Sequence, residues 1–216
     1  LPLTALGISA IAVAAVSTFL HLHAEYRGPR WRVYAFKPLA TFVLLLAAAA
    51  PAAHGSRYQL AVVAGLACSL VGDVLLMLPS DRFVAGLASF LLAHLAYVAA
   101  FTSGVALGAH SAILLPLLLA VAILLRVLWN GLTGLRAPVL LYAAAIVVMA
   151  WSAWARVRTA PGPGALTAAA GATLFMLSDA LLALNRFRRP FRSAQAWIMA
   201  TYVAAQTLIS LSVSIA

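Results

Sequence analysis

Residues 59–78 read QLAVVAGLACSLVGDVLLML, a run of twenty in which Asp73 is the single charged residue. At about 1.5 Å per residue such a run crosses the roughly 30 Å of a bilayer's hydrocarbon core. As a helix it also satisfies its own backbone groups where water is absent. An aspartate inside it costs about 2.5 to 3.5 kcal/mol on insertion scales, which several leucines at about 0.3 to 0.6 each offset. The stretch therefore reads as a membrane helix whose buried carboxylate has a purpose.

Outward from this run, comparable apolar stretches fall at 3–22, 36–53, 83–102, 110–129, 138–155, 164–185 and 194–215, which makes eight spans. The chain has 216 residues, 65% of them hydrophobic and 8% charged, where a soluble domain carries about 25% charged residues. A water-soluble globule is excluded. Eight spans with short connections use up the length, so the expectation is an all-α polytopic membrane protein forming one integral membrane domain over residues 1–216. The first stretch lacks a basic leader and a small-residue cleavage site, and reads as a span. The second is interrupted by Pro38 near its start and Pro51 near its end, which membrane helices tolerate. The lone Cys68 offers neither a disulfide framework nor a thiolate cluster.

The formal charge is +10, from 14 Lys and Arg against 4 Asp and Glu. The basic residues do not form a nucleic-acid surface, because they lie in or beside the connections between apolar stretches. Arg27, Arg30, Arg32, Lys37, Arg82, Arg126, Arg136, Arg186, Arg188, Arg189 and Arg192 belong to connections 1, 3, 5 and 7, against Arg57, Arg156 and Arg158 on the other face. This positive-inside bias predicts that the odd connections are cytoplasmic and that both termini lie on the non-cytoplasmic side. Membrane lipids are the expected surroundings; no motif specifies a protein partner.

Two of the four acidic residues, Asp73 and Asp179, fall inside spans three and seven. These spans run in the same direction, and each carboxylate sits roughly 7 to 9 Å inside the cytoplasmic end of its helix, so the two share a layer. Their surroundings match: Gly72-Asp73-Val74-Leu75-Leu76 on one span and Ser178-Asp179-Ala180-Leu181-Leu182 on the other, each with a small residue that admits a neighbouring helix. The four-span offset is that of a parallel repeat. Two carboxyls in one apolar cavity are not both ionised near neutral pH, since burial and repulsion oppose a second charge. The product is an acid beside a base, fit to protonate a substrate and to capture the developing cation or activate water. The alternative is that each aspartate separately bonds a neighbouring helix, or pairs with Lys37 or Arg126.

On span four, Gly86, Phe90, His94, Tyr97 and Phe101 fall along one helical face that is suited to lining a pocket or to packing. Tyr202, Gln206 and Ser210 form a second polar stripe on span eight. Lys37 is placed to meet a phosphate or an aspartate, or to snorkel, and Asn185 and Arg186 end span seven on the same face. His94 has no ligand partner at metal spacing, and His21, His23, His54 and His110 lie at span ends, so no metal site is expected. No phosphate-binding glycine loop, Gly-x-Ser-x-Gly elbow or His-Glu-x-x-His sequence occurs.

These residues resemble the YhhN-type lysoplasmalogenases. The resemblance rests on Lys37-Pro38, on Gly72-Asp73 followed by Phe83, Gly86, Phe90, His94 and Tyr97, on Gly171-Ala172, Phe175, Ser178-Asp179 and Ala183, and on Tyr202 with Gln206. It covers spans two to four, seven and eight; spans one, five and six add little beyond hydrophobicity. It implies an eight-span hydrolase, needing no cofactor, in the bacterial cytoplasmic (inner) membrane. Its implied reaction splits the vinyl ether of a lysophospholipid, the lysoplasmalogen, into a fatty aldehyde and a glycerophospho-alcohol. Asp73 and Asp179 are the expected catalytic pair, with the donor unassigned, and Lys37, Phe90, His94, Tyr97, Asn185, Tyr202 and Gln206 are the expected substrate contacts. A different class, a proton-coupled transporter or lipid carrier with the aspartates as relay, remains open on the residues alone.

Overall fold

The computed structural model describes residues 5–50, 56–105 and 111–215. Pro51, His54 and His110 lie outside them. The described residues form eight α-helices: α1 (Ala5–Arg27), α2 (Arg30–Ala49), α3 (Arg57–Met77), α4 (Phe83–Thr102), α5 (Ser111–Leu128), α6 (Arg136–Thr159), α7 (Pro163–Phe187) and α8 (Ala194–Ser214), with a 3-10 turn at Trp129–Gly131 after α5. All eight are long and apolar enough to cross a membrane.

Helix starts follow local chemistry. The Ser56 hydroxyl accepts the Gln59 N–H and caps α3, and Pro163 opens α7 where its missing N–H is no loss. The second helix departs from the expected bounds: it begins at Arg30, six residues early, and carries Pro38 in its interior. Arg30 and Arg32 alternate there with Trp31, Val33 and Tyr34, a pattern that suits a membrane interface, where arginine stems lie along apolar surface and heads reach water. Trp31, Trp129 and Trp197 are exposed at this same end, with Arg32 and Arg136 guanidinium groups over the Trp31 and Trp129 rings.

Connections 1, 3 and 7 meet at one end of the bundle. The Arg186 guanidinium bonds Asp81 at 2.7 Å, and the Tyr26 hydroxyl donates to the Arg192 carbonyl at 3.0 Å. At the opposite end Arg156 donates to the Ser103 carbonyl and covers the Tyr58 ring, while the Tyr58 hydroxyl bonds Ser212.

Lipid tails are as apolar as leucine, so the bundle is held by close packing and interhelical hydrogen bonds. Its interior is accordingly rich in alanine: Ala40, Ala93, Ala100, Ala168, Ala172 and Ala205 are fully buried. The most extensive pairings are α7 on α8 and α3 on α4. A Cβ at Gly72 would lie 2.6 Å from the Phe90 ring, and one at Gly171 would lie 2.8 Å from Ile209. Both contacts are closer than real Cβ atoms allow, so the small residue before Asp73 does what its sequence implied. By contrast α5 is the least embedded helix and turns Leu115, Leu119 and Ile123 outward.

Candidate active site

Asp73 hangs from α3 into the bundle, 1% exposed, and its Oδ2 accepts two hydroxyls, Thr41 at 2.6 Å and Tyr202 at 2.7 Å. Lys37 Nζ lies 4.0 Å from its Oδ1. Lys37 and Thr41 are four residues apart on α2 and so share a face. Behind Tyr202, Gln206 Nε2 donates to the tyrosine oxygen at 3.3 Å and Gln206 Oε1 accepts from Tyr97 at 2.7 Å. The polar stripes foreseen on spans four and eight thus meet each other and end on Asp73.

Asp179, on α7, accepts the Tyr142 hydroxyl from α6 on its Oδ2 at 2.6 Å. The same oxygen lies 3.5 Å from Nε2 of His94 on α4. That imidazole is fully buried between the Tyr142 and Phe175 rings and makes no hydrogen bond. The two aspartates therefore exchange partners across the four-helix halves. Asp73 takes one bond from the preceding helix and one from α8, while Asp179 takes one from its preceding helix and is approached by α4.

Both aspartates line a single cavity of about 240 Å³. Its walls include Lys37, Phe90, Ser178, Asn185 and Tyr202, and it reaches Asp81, Arg82 and Arg186 at the arginine-rich end. Phe175, fully buried, packs edge-on against two of its wall residues, Phe90 at 6.1 Å and Tyr202 at 5.5 Å between ring centres. Six of the expected site residues, Asp73, Asp179, Lys37, Phe90, Asn185 and Tyr202, are brought together on this wall. The other three, His94, Tyr97 and Gln206, are fully buried behind it. Asn185 also accepts the Phe191 N–H, which ties the seventh connection to the cavity rim. Arg126 is exposed on α5 and is not part of the wall.

Thr41, Tyr142 and Gln195, the last a residue of the cavity wall at the start of α8, were not foreseen. Thr41 was legible as the residue one turn beyond Lys37. Tyr142 lies six residues inside Arg136, about 9 Å from the helix start, in the depth layer of the aspartates. Nothing in the sequence around Gln195 marks it. Among the described residues no three His, Cys, Asp or Glu side chains gather in one place.

The chemistry of the two acids differs in its surroundings. Asp73 has the Lys37 ammonium 4.0 Å from its Oδ1 and two hydroxyl donors on its Oδ2. Asp179 has one hydroxyl donor and also lines an apolar groove between α4, α5, α6 and α7. Two carboxyl groups in different surroundings therefore face one chamber with Lys37, Arg82 and Arg186 on its wall.

No solved structure matches the chain. Among known sequences, an uncharacterized membrane protein YhhN of Escherichia coli is 38% identical over 205 residues, covering 93% of this chain and 96% of its own. The protein named lysoplasmalogenase TMEM86B in Sus scrofa is 38% identical over 160 residues, covering 74% of this chain and 66% of its own. The one named lysoplasmalogenase TMEM86A in Homo sapiens is 35% identical over 202 residues, covering 86% and 79%. Residues 32–213 match the model of the YhhN family. With that match and relatives that span nearly its whole length, this integral membrane protein belongs to the YhhN family.

Proposed function

We propose that the protein is an intramembrane hydrolase that cleaves the vinyl ether of lysoplasmalogens to a fatty aldehyde and a glycerophospho-alcohol. The observation that carries this reading is the common wall: Asp73 and Asp179 line one cavity rimmed by Lys37, Arg82 and Arg186. Relatives named lysoplasmalogenase supply the substrate class.

A vinyl ether is an electron-rich alkene, and its β-carbon accepts a proton. In this reading the Asp179 carboxyl gives that proton, a C–H bond forms, and the π electrons leave an oxocarbenium ion at the α-carbon. Asp73, held by Thr41, Tyr202 and Lys37, takes a proton from the water that attacks this cation, which gives a hemiacetal. In the collapse Asp73 returns its proton to the departing glycerol oxygen and Asp179 recovers one from the hemiacetal hydroxyl. Both acids are reset, and one water is consumed. Neither a metal nor an organic cofactor has a role in this scheme. Lys37 and the rim arginines hold the phosphate.

The arginine-rich end faces the cytoplasm of the inner membrane, both termini lie on the other side, and residues 1–216 act as one membrane domain. Purified protein given a lysoplasmalogen is expected to release aldehyde, and Asp73→Asn and Asp179→Asn each to abolish release while retaining the wild-type melting profile. Full activity in both variants sinks the mechanism. Lipid moved across a pH gradient without covalent change identifies a transporter instead.

A further inference from the structure

A second hollow, of about 600 Å³, lies between α4, α5, α6 and α7, within the roughly 300 to 1,000 Å³ of small-molecule sites. Only Tyr142, Thr173 and Asp179 among its lining side chains carry a polar group. Two of these are engaged elsewhere: the Tyr142 hydroxyl donates to Asp179, and the Thr173 hydroxyl accepts from Trp154 and donates to the Ala169 carbonyl. The groove meets the polar cavity along one seam, where Phe83, Asp179 and Leu182 line both. Along α7 it extends from Phe187 to Thr173, about 21 Å at the rise of a helix. Three of its lining residues, Ile123, Val127 and Leu177, are also 57%, 42% and 47% exposed on the bundle's outer surface. The groove thus opens sideways, beside the loosely embedded α5, into the bilayer.

We propose that this groove is the binding site for the alkenyl chain of the substrate, loaded laterally from the membrane, with the vinyl ether lying across the Phe83–Asp179–Leu182 seam. The inference rests on the hydrolase reading above and adds to it where the chain goes and how it arrives. Occupancy by a hydrocarbon chain follows from continuity. A molecule whose phosphate is held by Lys37 and Arg186 finds an apolar path through the seam, beyond which the lining is apolar apart from Tyr142 and Thr173, whose hydroxyls are hydrogen-bonded. The seam then sets the bond that is cut. The atoms at a head-to-chain junction are those of the ether, and Asp179 is the one acid exposed to both hollows. Among the described residues a further hollow shares Lys37, Leu76 and Gln195 with the cavity, but it is walled by His21, Glu25 and Arg30 and suits a polar group, not a chain. The apolar hollow between α1 and α8, lined by Phe19, Leu22 and Leu208, shares no residue with the cavity, so this site suits a lipid with one chain.

Ala143 on α6 lines the groove and is absent from the cavity wall, so Ala143→Trp fills the chain path from a position that bonds neither aspartate. The experiment measures kcat/KM for a long-chain alkenyl lysophospholipid and for a short-chain analogue with the same headgroup. Wild type, Ala143→Trp, Leu177→Trp and Ala204→Trp are compared, the last filling the α1–α8 hollow. Both groove variants are expected to lose at least about tenfold on the long chain and to change less than about threefold on the short one, with Ala204→Trp unchanged on both. Melting temperatures identify any variant that fails to fold, and either groove variant alone suffices. Equal losses on both chain lengths, or no loss on the long chain in a folded variant, overturn the groove assignment. Absence of aldehyde release by wild type from either lipid overturns the hydrolase reading itself, so the two failures are distinct.

Discussion

The Tyr202 hydroxyl donates to Asp73 at 2.7 Å from a helix 129 residues further along the chain. Through that bond α8 fixes the carboxylate of α3, and Gln206 and Tyr97 fix Tyr202 in turn. Tyr202→Phe removes one donor and keeps the ring that packs on Phe90 and Phe175. Aldehyde release is expected to fall by about 10- to 100-fold in kcat with little change in KM, since a bond to a charged group carries about 1.5 to 3 kcal/mol. Thr41→Val is expected to behave alike. A loss confined to KM in steady-state kinetics contradicts the assignment of Asp73 to the chemical step.

The division of labour between the acids is open to an isotope test. In the proposed reaction run in D2O, Asp73→Asn keeps the proton donor and lacks the base for water. Lipid recovered unreacted is therefore expected to carry deuterium on its β-carbon by mass spectrometry. Asp179→Asn is expected to leave the lipid unlabelled. Label in the second variant and none in the first reverses the roles.

Helix number and most bounds were legible because apolar runs are long compared with the connections between them. That both aspartates line one cavity was legible because a carboxylate in hydrocarbon is costly and both lie at one depth. The start of α2 was not, since an interfacial turn such as Arg30–Tyr34 is mixed in polarity and hydropathy alone reads it as a connection. Nor was the layering of the site. Periodicity put Phe90, His94 and Tyr97 on one face of α4, but the radial depth of each depends on which helix packs there. Phe175 from α7 occupies that space, so Phe90 reaches the cavity while His94 and Tyr97 stand behind it. Tyr142 was missed because one tyrosine in an apolar span looks the same whether it packs or donates.

Gly72 tests the close approach of α3 and α4. In Gly72→Leu the added side chain must displace the Phe90 ring, which stands 2.6 Å from the first atom added. Overpacking of this kind costs about 1 to 3 kcal/mol. A lower melting temperature is expected, together with lost activity from a moved cavity wall. An unchanged melting temperature contradicts the packing described.

At the cavity mouth Arg186 bonds Asp81 at 2.7 Å and stands over the Phe83 ring, with both charged partners solvent-exposed. Such a pair contributes at most about 1 kcal/mol to stability, so Asp81→Ala is expected to leave the melting temperature nearly unchanged. Its effect falls on binding: the freed guanidinium lowers KM for a phosphate-bearing lipid about two- to threefold at low salt. Arg186→Ala raises KM, and both differences shrink as salt screens the exposed charge. Salt-independent KM values in both variants remove Arg186 from the phosphate site.

His94 gives the sharpest separation of positioning from packing. Its ring is fully buried, stacked edge-on at 5.0 Å from Tyr142 and 4.8 Å from Phe175, and Nε2 lies 3.5 Å from the oxygen of Asp179 that Tyr142 also bonds. Neither ring nitrogen has a hydrogen bond, so the protein loses no such bond when the nitrogens are removed. His94→Phe keeps an aromatic ring in the slot and exchanges buried polar atoms for apolar ones, a change that is often neutral or stabilising. The melting temperature is therefore expected to hold or rise. If Nε2 orients the Asp179 carboxyl, kcat falls about tenfold with KM unchanged, and His94→Gln, which retains a polar terminus, recovers part of it. Equal kcat in wild type and His94→Phe reduces the histidine to a packing residue, and Asp179 is then held by Tyr142 alone.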